Sequence, residues 1–184
     1  MNQVSITKQS LPGYESRADL LKVMAFSLRA RGADDEEFWL KVYGSTRAEE
    51  MAMVPWDESQ KRAFLEMQFK AQSEAYQQQF PGAEHLVILD DGIPAGRLIV
   101  DRDAERILLV DIALLPEHRG RGIGGELIAR LKTEAEQAAK PLWLDVENFN
   151  PVRSYYLRIG FRKIDEIGLY WRLEWRAPEV TNAT

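Results

Sequence analysis

The chain has 184 residues, 45% of them hydrophobic, and a net charge of −5, which is material for one domain able to close its own core. It has no cysteine and only two histidines, His85 and His118. That excludes disulfide scaffolds, thiolate nucleophiles and cysteine-held metals, and leaves no histidine pair at helical spacing for a metal site. The acidic balance disfavours a nucleic-acid partner, and no run approaches the roughly 20 apolar residues that cross a bilayer. A cytoplasmic protein without metal, nucleic acid or membrane is expected.

Residues 1–19 are polar around Pro12-Gly13 and predict a mobile arm, residues 20–177 one domain, and residues 178–184 a frayed tail. From Leu20 to Arg31, Met24, Phe26 and Leu28 alternate as a strand would, although Leu20, Leu21, Met24 and Leu28 also fit one helix face; a strand is expected. Gly32 stops it, and Asp34-Asp35-Glu36-Glu37 opens a helix carrying Phe38, Trp39, Val42 and Tyr43 as far as Gly44. Pro55-Trp56-Asp57 starts a second helix over about residues 57–79. Its stripe is read as Phe64, Met67, Ala71 and Ala75, broadened by Leu65, Phe69 and Tyr76, and Pro81-Gly82 ends it.

Beyond this point the texture becomes strand-rich. Leu86–Leu89, a turn at Asp90-Asp91-Gly92, and Pro94–Val100 read as a hairpin. Ile107–Leu115 is almost wholly apolar and reads as a central strand buried on both faces, with Asp111 its single exception. A helix from about Gly122 to Ala139 carries the stripe Ile123, Leu127, Ile128, Leu131 and Ala135, and Lys140-Pro141 ends it. Leu142–Val146 is a second buried strand, Pro151–Ile159 a short helix before Gly160, and residues 161–167 and 169–175 a closing pair of strands. The fold class is α/β, a single domain with a mixed sheet.

Between the central strand and its helix runs Arg119-Gly-Arg-Gly-Ile-Gly-Gly125. Glycines let main-chain N–H groups approach a ligand closely, a helix N-terminus adds unpaired donors and partial positive charge, and two arginines stand beside them. Such a loop suits a phosphate or pyrophosphate. A mononucleotide P-loop fails, because Glu126 and Leu127 stand where lysine and a hydroxyl residue are needed. A dinucleotide fingerprint matches literally at Gly120, Gly122 and Gly125, with Asp145 as the ribose-binding acid. Pro116–Arg119 intervene before it, however, and only about 60 residues follow. The third class is an acyl-coenzyme A.

For that third class the residues themselves carry a resemblance. Arg119-x-x-Gly122-x-Gly124, after a strand ending Ala113-Leu114-Leu115-Pro116, resembles the signature of the GNAT superfamily of N-acetyltransferases. Asn150 followed by Tyr156-Leu-Arg-Ile-Gly160-Phe161 resembles that superfamily's later helix, independently of the first match. The resemblance covers about residues 84–175 and is of a bacterial type. It implies a mostly antiparallel mixed sheet, flanked by helices, whose fourth and fifth strands splay to admit the pantetheine arm.

On that resemblance, Ala113, Leu114 and Leu115 would pair with the pantetheine amides. The N–H groups of Arg119, Gly120, Arg121, Gly122, Ile123, Gly124 and Gly125 would hold the pyrophosphate, with Asn150 as a further contact or simply a turn residue. An N–H near Leu114 would stabilise the thioester oxyanion, and Tyr156 matches the general acid, with Tyr155 a competing phenol. Asp111 is the candidate base, its alternative a structural carboxylate paired with an arginine; Glu147 and a water chain are rivals. Trp56, Phe69 and Glu147 are candidates for the acceptor pocket, and His118 is expected to sit exposed and idle. The implied function is acetyl transfer from acetyl-CoA to a small-molecule or peptide amine, by a monomer or homodimer. The alternatives are a CoA-binding sensor without turnover and, more remotely, an NAD(P)-binding protein.

Overall fold

A computed structural model describes residues 26–178. The expected arm, the first part of the first expected strand (residues 20–25) and the tail beyond Pro178 lie outside the described residues. Strand β1 is Phe26–Ala30. Its Arg29 holds Asp35 through hydrogen bonds of 2.6 and 2.7 Å, and the Gly32 N–H donates to the same carboxylate at 2.7 Å. The guanidinium first, then that N–H, hold the Asp35 carboxyl down at about 2. Past a 3-10 turn at Ala33–Asp35, helix α1 spans Glu36–Thr46. It continues beyond Gly44 because the Ser45 and Thr46 hydroxyls donate back to the Val42 and Tyr43 carbonyls at 2.7 Å.

Helix α2, Ala48–Met53, has no counterpart among the elements expected from sequence; six helix-tolerant residues are too few to display a period. Helix α3, Glu58–Gln79, starts in a capping box: Asp57 accepts from the Gln60 N–H at 2.8 Å, and Gln60 accepts from the Asp57 N–H at 3.0 Å. Its inward stripe differs from the expected one. Met67, Ala71 and Ala75 are exposed, while Phe69 is buried and Leu65, Gln72 and Tyr76 flank it. In a helix this rich in glutamine and alanine, two neighbouring stripes carry nearly equal apolar content, and tertiary packing selects one of them.

The hairpin consists of β2, Glu84–Asp90, and β3, Ile93–Arg102, joined by Asp91 and Gly92 with φ of 51° and 79°, the left-handed pair that a two-residue hairpin loop demands. Strand β4 is Ile107–Leu114, and α4, Ile123–Gln137, buries the whole predicted stripe. Strand β5 (Leu142–Glu147), α5 (Val152–Arg158), β6 (Arg162–Ile167) and β7 (Tyr170–Trp175) complete the chain.

The sheet has the order β1-β2-β3-β4-β5-β7-β6, antiparallel except for β4 with β5. Trp39 and Tyr43 of α1 and Phe69 of α3 pack on Val87 and Ile99 at one face; α4 and Tyr156 of α5 pack on Ile88, Leu98 and Leu144 at the other. The fold is the expected α/β class. With a single parallel pair it has no doubly wound sheet for a dinucleotide, and the ribose-acid candidate Asp145 is held by Arg172 at 2.8 and 2.9 Å. Among the described residues no helix is long and apolar enough to cross a membrane.

Two irregularities interrupt the middle of this sheet. The β3–β4 register passes from Ile99↔Asp111 to Val100↔Leu109, so Val110 is a bulge residue. Pairing of β4 with β5 ends at Leu109↔Leu144, although β4 runs on to Leu114 and β5 to Glu147. The two strands therefore part, as expected of the splayed pair.

Candidate active site

The parting of β4 from β5 leaves main-chain groups of β4 without a strand partner. The Leu115 N–H donates to the Ala95 carbonyl of β3 at 2.9 Å, so by strand alternation the main-chain groups of Ile112 and Leu114 face the opposite edge, where β5 is absent. The Leu114 carbonyl is taken by Arg119 Nε at 2.8 Å. Its N–H remains directed into the gap, a donor in search of an acceptor. Gly96 lets β3 approach this point: a Cβ there would overlap the Ala113 carbonyl oxygen and stand 2.8 Å from Leu114 Cδ2.

The glycine loop leaves the end of that edge. After a 3-10 turn, Pro116–His118, Gly120 and Gly122 take φ of 73° and 86°, conformations that a side chain would strain. The N–H groups of Gly120, Arg121, Gly122, Ile123, Gly124 and Gly125 have no acceptor among the described residues; the next, Glu126 N–H, returns to the Gly122 carbonyl at 3.0 Å. No side chain caps α4. A continuous run of donors at a helix mouth is thus left open, where the dipole favours an anion. The arginines do not point freely at it. Arg119 spans the Leu114 carbonyl and Ser45 at the end of α1, and Arg121 donates to Asp90 at 2.9 Å. The Tyr155 hydroxyl stands over the first turn of α4, 3.0 Å from where a Cβ on Gly125 would be.

Asp111 does have an arginine partner. Arg97 Nε lies 2.6 Å from its Oδ2, off the N–H axis, so the contact is an ion pair rather than an aligned hydrogen bond. Arg97 is buried, reaches Gln72 at 3.0 Å and lies over the rings of Trp39 and Tyr43. Burial raises the Asp111 carboxyl and Arg97 opposes it, with a net rise. Burial and then Asp111 push the Tyr76 phenol up; burial and then Glu147 do the same to Tyr170, the cross-strand partner of Glu147. Tyr76 accordingly lies within electrostatic reach of Asp111 and of Tyr170, and Tyr170 within reach of Glu147.

Tyr156 is buried on α5 against Phe161, and burial, then Tyr155 and Asp111, push its phenol up to about 12. Its hydroxyl has no partner among the described residues. Asn150 acts as a turn residue: its side chain accepts from the Val152 N–H at 3.0 Å and starts α5. Phe69, 4% exposed, is a core side chain and not a pocket wall. Trp56, 39% exposed, lies edge-on to Phe64 at the α2–α3 corner. His118 is not exposed: its Nδ1 lies 2.7 Å from Asp90 Oδ2. Arg97 and Asp90 had no sequence signal for the site, since strand register brings them here, and Tyr76, read from sequence only as part of the α3 stripe, arrives by the packing of that helix. No group of three or more metal-ligating side chains occurs among the described residues.

Comparison with known proteins agrees with this geometry. The profile of the Acetyltransferase (GNAT) family matches residues 48–161. The chain is 33% identical over 85 residues to the [ribosomal protein bS18]-alanine N-acetyltransferase of Haemophilus influenzae, covering 44% of this chain and 56% of that one. It is 41% identical over 75 residues to the streptothricin acetyltransferase of Streptomyces lavendulae, covering 39% and 40%. The matches thus span about half the length of these curated relatives. Among solved structures, the PaiA N-acetyltransferase of Thermoplasma acidophilum in complex with coenzyme A superposes with a TM-score of 0.62 at 19% identity, over 84% of this chain and 100% of that one. An acetyltransferase from Thermus thermophilus gives 0.60 at 17% identity, over 84% and 99%.

Proposed function

The chain belongs to the GNAT family of acetyltransferases, and from that premise we propose that it transfers an acetyl group from acetyl-CoA to a primary amine by direct attack within a ternary complex. The observation that carries this reading is the run of unpaired N–H groups from Gly120 to Gly125 at the end of the parted strand. That run is shaped for a diphosphate, and a strand edge with free amide groups suits an amide-bearing arm.

In this reading the open main-chain edge of Ile112 and Leu114 faces the pantetheine arm, while Ala113 and Leu115, expected from sequence to share that role, are turned to β3 instead. The Leu114 N–H stabilises the oxyanion as the amine nitrogen bonds to the thioester carbon. The carbon–sulfur bond then breaks and the sulfur leaves with the bonding pair. A phenol at about 12 is a weaker acid than a thiol near 8.5, so Tyr156 eases departure by hydrogen-bonding the sulfur rather than by complete proton transfer. Asp111 accepts the proton that the amine sheds, its charge steadied by Arg97. Glu147 and Tyr170 border the acceptor side.

The pairing of Asp111 with Arg97 also favours a second reading, a CoA-binding module without turnover. One assay separates them. The purified protein is incubated with acetyl-CoA and a broad amine panel, and free thiol is followed alongside thermal stabilisation by CoA and by NAD. Stabilisation by CoA with thiol release on at least one amine is expected. Stabilisation without release selects the binding module, and stabilisation by NAD alone overturns both.

A further inference from the structure

We infer that Asp90, the last residue of β2, is a positioning residue that presets the glycine loop for its phosphate ligand; this rests on the proposed reading of the loop as a diphosphate site. Asp90 is distant from the loop in sequence but lies against it in space. Its side chain is 8% exposed, and a single oxygen, Oδ2, takes His118 Nδ1 at 2.7 Å and Arg121 at 2.9 Å. One buried carboxylate therefore grips the loop at two points on either side of Arg119-Gly120.

The grip is anchored in something stiff. Asp90 directly precedes the tight Asp91-Gly92 turn, and its Cα pairs with Ile93 across the hairpin and with Phe26 of β1. Arg119 ties the start of the loop to the Leu114 carbonyl and to Ser45, but the stretch after it depends on Asp90. Gly120 and Gly122 are the residues with the most conformational freedom, and α4 has no side-chain cap. Arg121 is 54% exposed, and an arginine in water samples many rotamers unless tethered. Fixing these parts before the ligand arrives moves the ordering cost out of the binding step. The carboxylate also does not repel the anion at close range, since the Arg121 charge stands against it.

The test compares Asp90→Ala, Asp90→Asn and the His118→Ala/Arg121→Ala background, with and without Asp90→Ala. In Asp90→Ala the KM for acetyl-CoA is expected to rise roughly tenfold, the equivalent of one lost charge-assisted hydrogen bond. Its kcat at saturation stays within about twofold, since the same bound geometry is reached once concentration drives binding to completion. Asp90→Asn, which keeps an acceptor of the same shape, falls between wild type and Asp90→Ala. In the double background Asp90→Ala adds nothing to KM. A wild-type KM in Asp90→Ala, or a rise that persists undiminished in the double background, overturns the proposal. Should Asp90→Ala not fold, Asp90→Asn decides: a raised KM supports it and a wild-type KM overturns it. A second readout needs no ligand. Amide hydrogen exchange over residues 118–125 of the unliganded protein is expected to quicken in Asp90→Ala and not in the hairpin around it; unchanged exchange overturns the positioning role. If instead wild type itself fails to bind CoA while exchange responds as expected, the diphosphate reading fails and the clamp stands.

Discussion

Replacing Gly96 by alanine tests whether the end of β4 is held where the site requires it. A Cβ at this position would overlap the Ala113 carbonyl oxygen and stand 2.8 and 3.0 Å from Leu114 Cδ2 and Cα. Two of these three neighbours are backbone, which cannot swing aside as a flexible side-chain tip can, so β3 and β4 must separate. Overpacking of this kind costs about 1–3 kcal/mol, and backbone neighbours place Gly96→Ala in the upper half, about 2–3 kcal/mol. For a chain of this length that is a fall in Tm of about 4–12 °C. Displacing Ala113 and Leu114 also moves the main-chain donors of the crevice, so affinity for CoA falls beyond what the stability loss alone explains. Gly82→Ala is the matched control: its new Cβ has Asp101 Oδ1 as nearest neighbour, at 4.0 Å. Thermal unfolding and CoA titration of both variants check the reasoning. A Gly96→Ala protein as stable as Gly82→Ala, binding CoA as wild type does, would refute it.

Gly122→Asp is expected to abolish CoA binding while the protein stays folded, because φ of 86° strains any side chain by about 1–2 kcal/mol and the carboxylate stands in the anion site; calorimetric titration decides. Tyr156→Phe should lower kcat by roughly 100-fold or more with CoA affinity unchanged, and wild-type turnover would remove the phenol from the mechanism. Because burial holds that phenol up near 12, it remains a donor from neutral to strongly alkaline pH, so the kcat profile should show no Tyr156-dependent fall below about pH 10. Asp111→Asn leaves Arg97 buried without its counter-ion and should cost about 3 kcal/mol on urea unfolding. Asp111→Leu combined with Arg97→Met should recover that stability, yet stay inactive if the carboxylate takes the amine proton.

The sequence was most readable where local chemistry decides the outcome. The Asp91-Gly92 turn, the Asp57 cap and the α4 stripe from Ile123 to Ala135 formed as expected, since turn sterics, capping and a strong 3.6-residue period act within a few residues. The left-handed backbone at Gly120 and Gly122 and the uncapped start of α4 follow from the same local rules. What could not be read depends on register. Arg97 meets Asp111 because the β3–β4 register sets Arg97 opposite Ala113, two residues from Asp111 on the same face, and Asp90 meets His118 and Arg121 because the hairpin end lies against the loop. Phe69 looked like a pocket candidate and proved a core residue because the inward stripe of α3 is displaced from the apolar positions that sequence spacing favours. The short α2 carries no signal of its own.

The most direct test is an amide NMR titration of the labelled protein with coenzyme A. The largest shifts are expected at the N–H groups of Leu114 and of Gly120 to Gly125, saturating together with a single Kd. Saturable binding that leaves those amides unmoved, or no binding at all, would contradict the claim that the parted strand and its loop form the cofactor site.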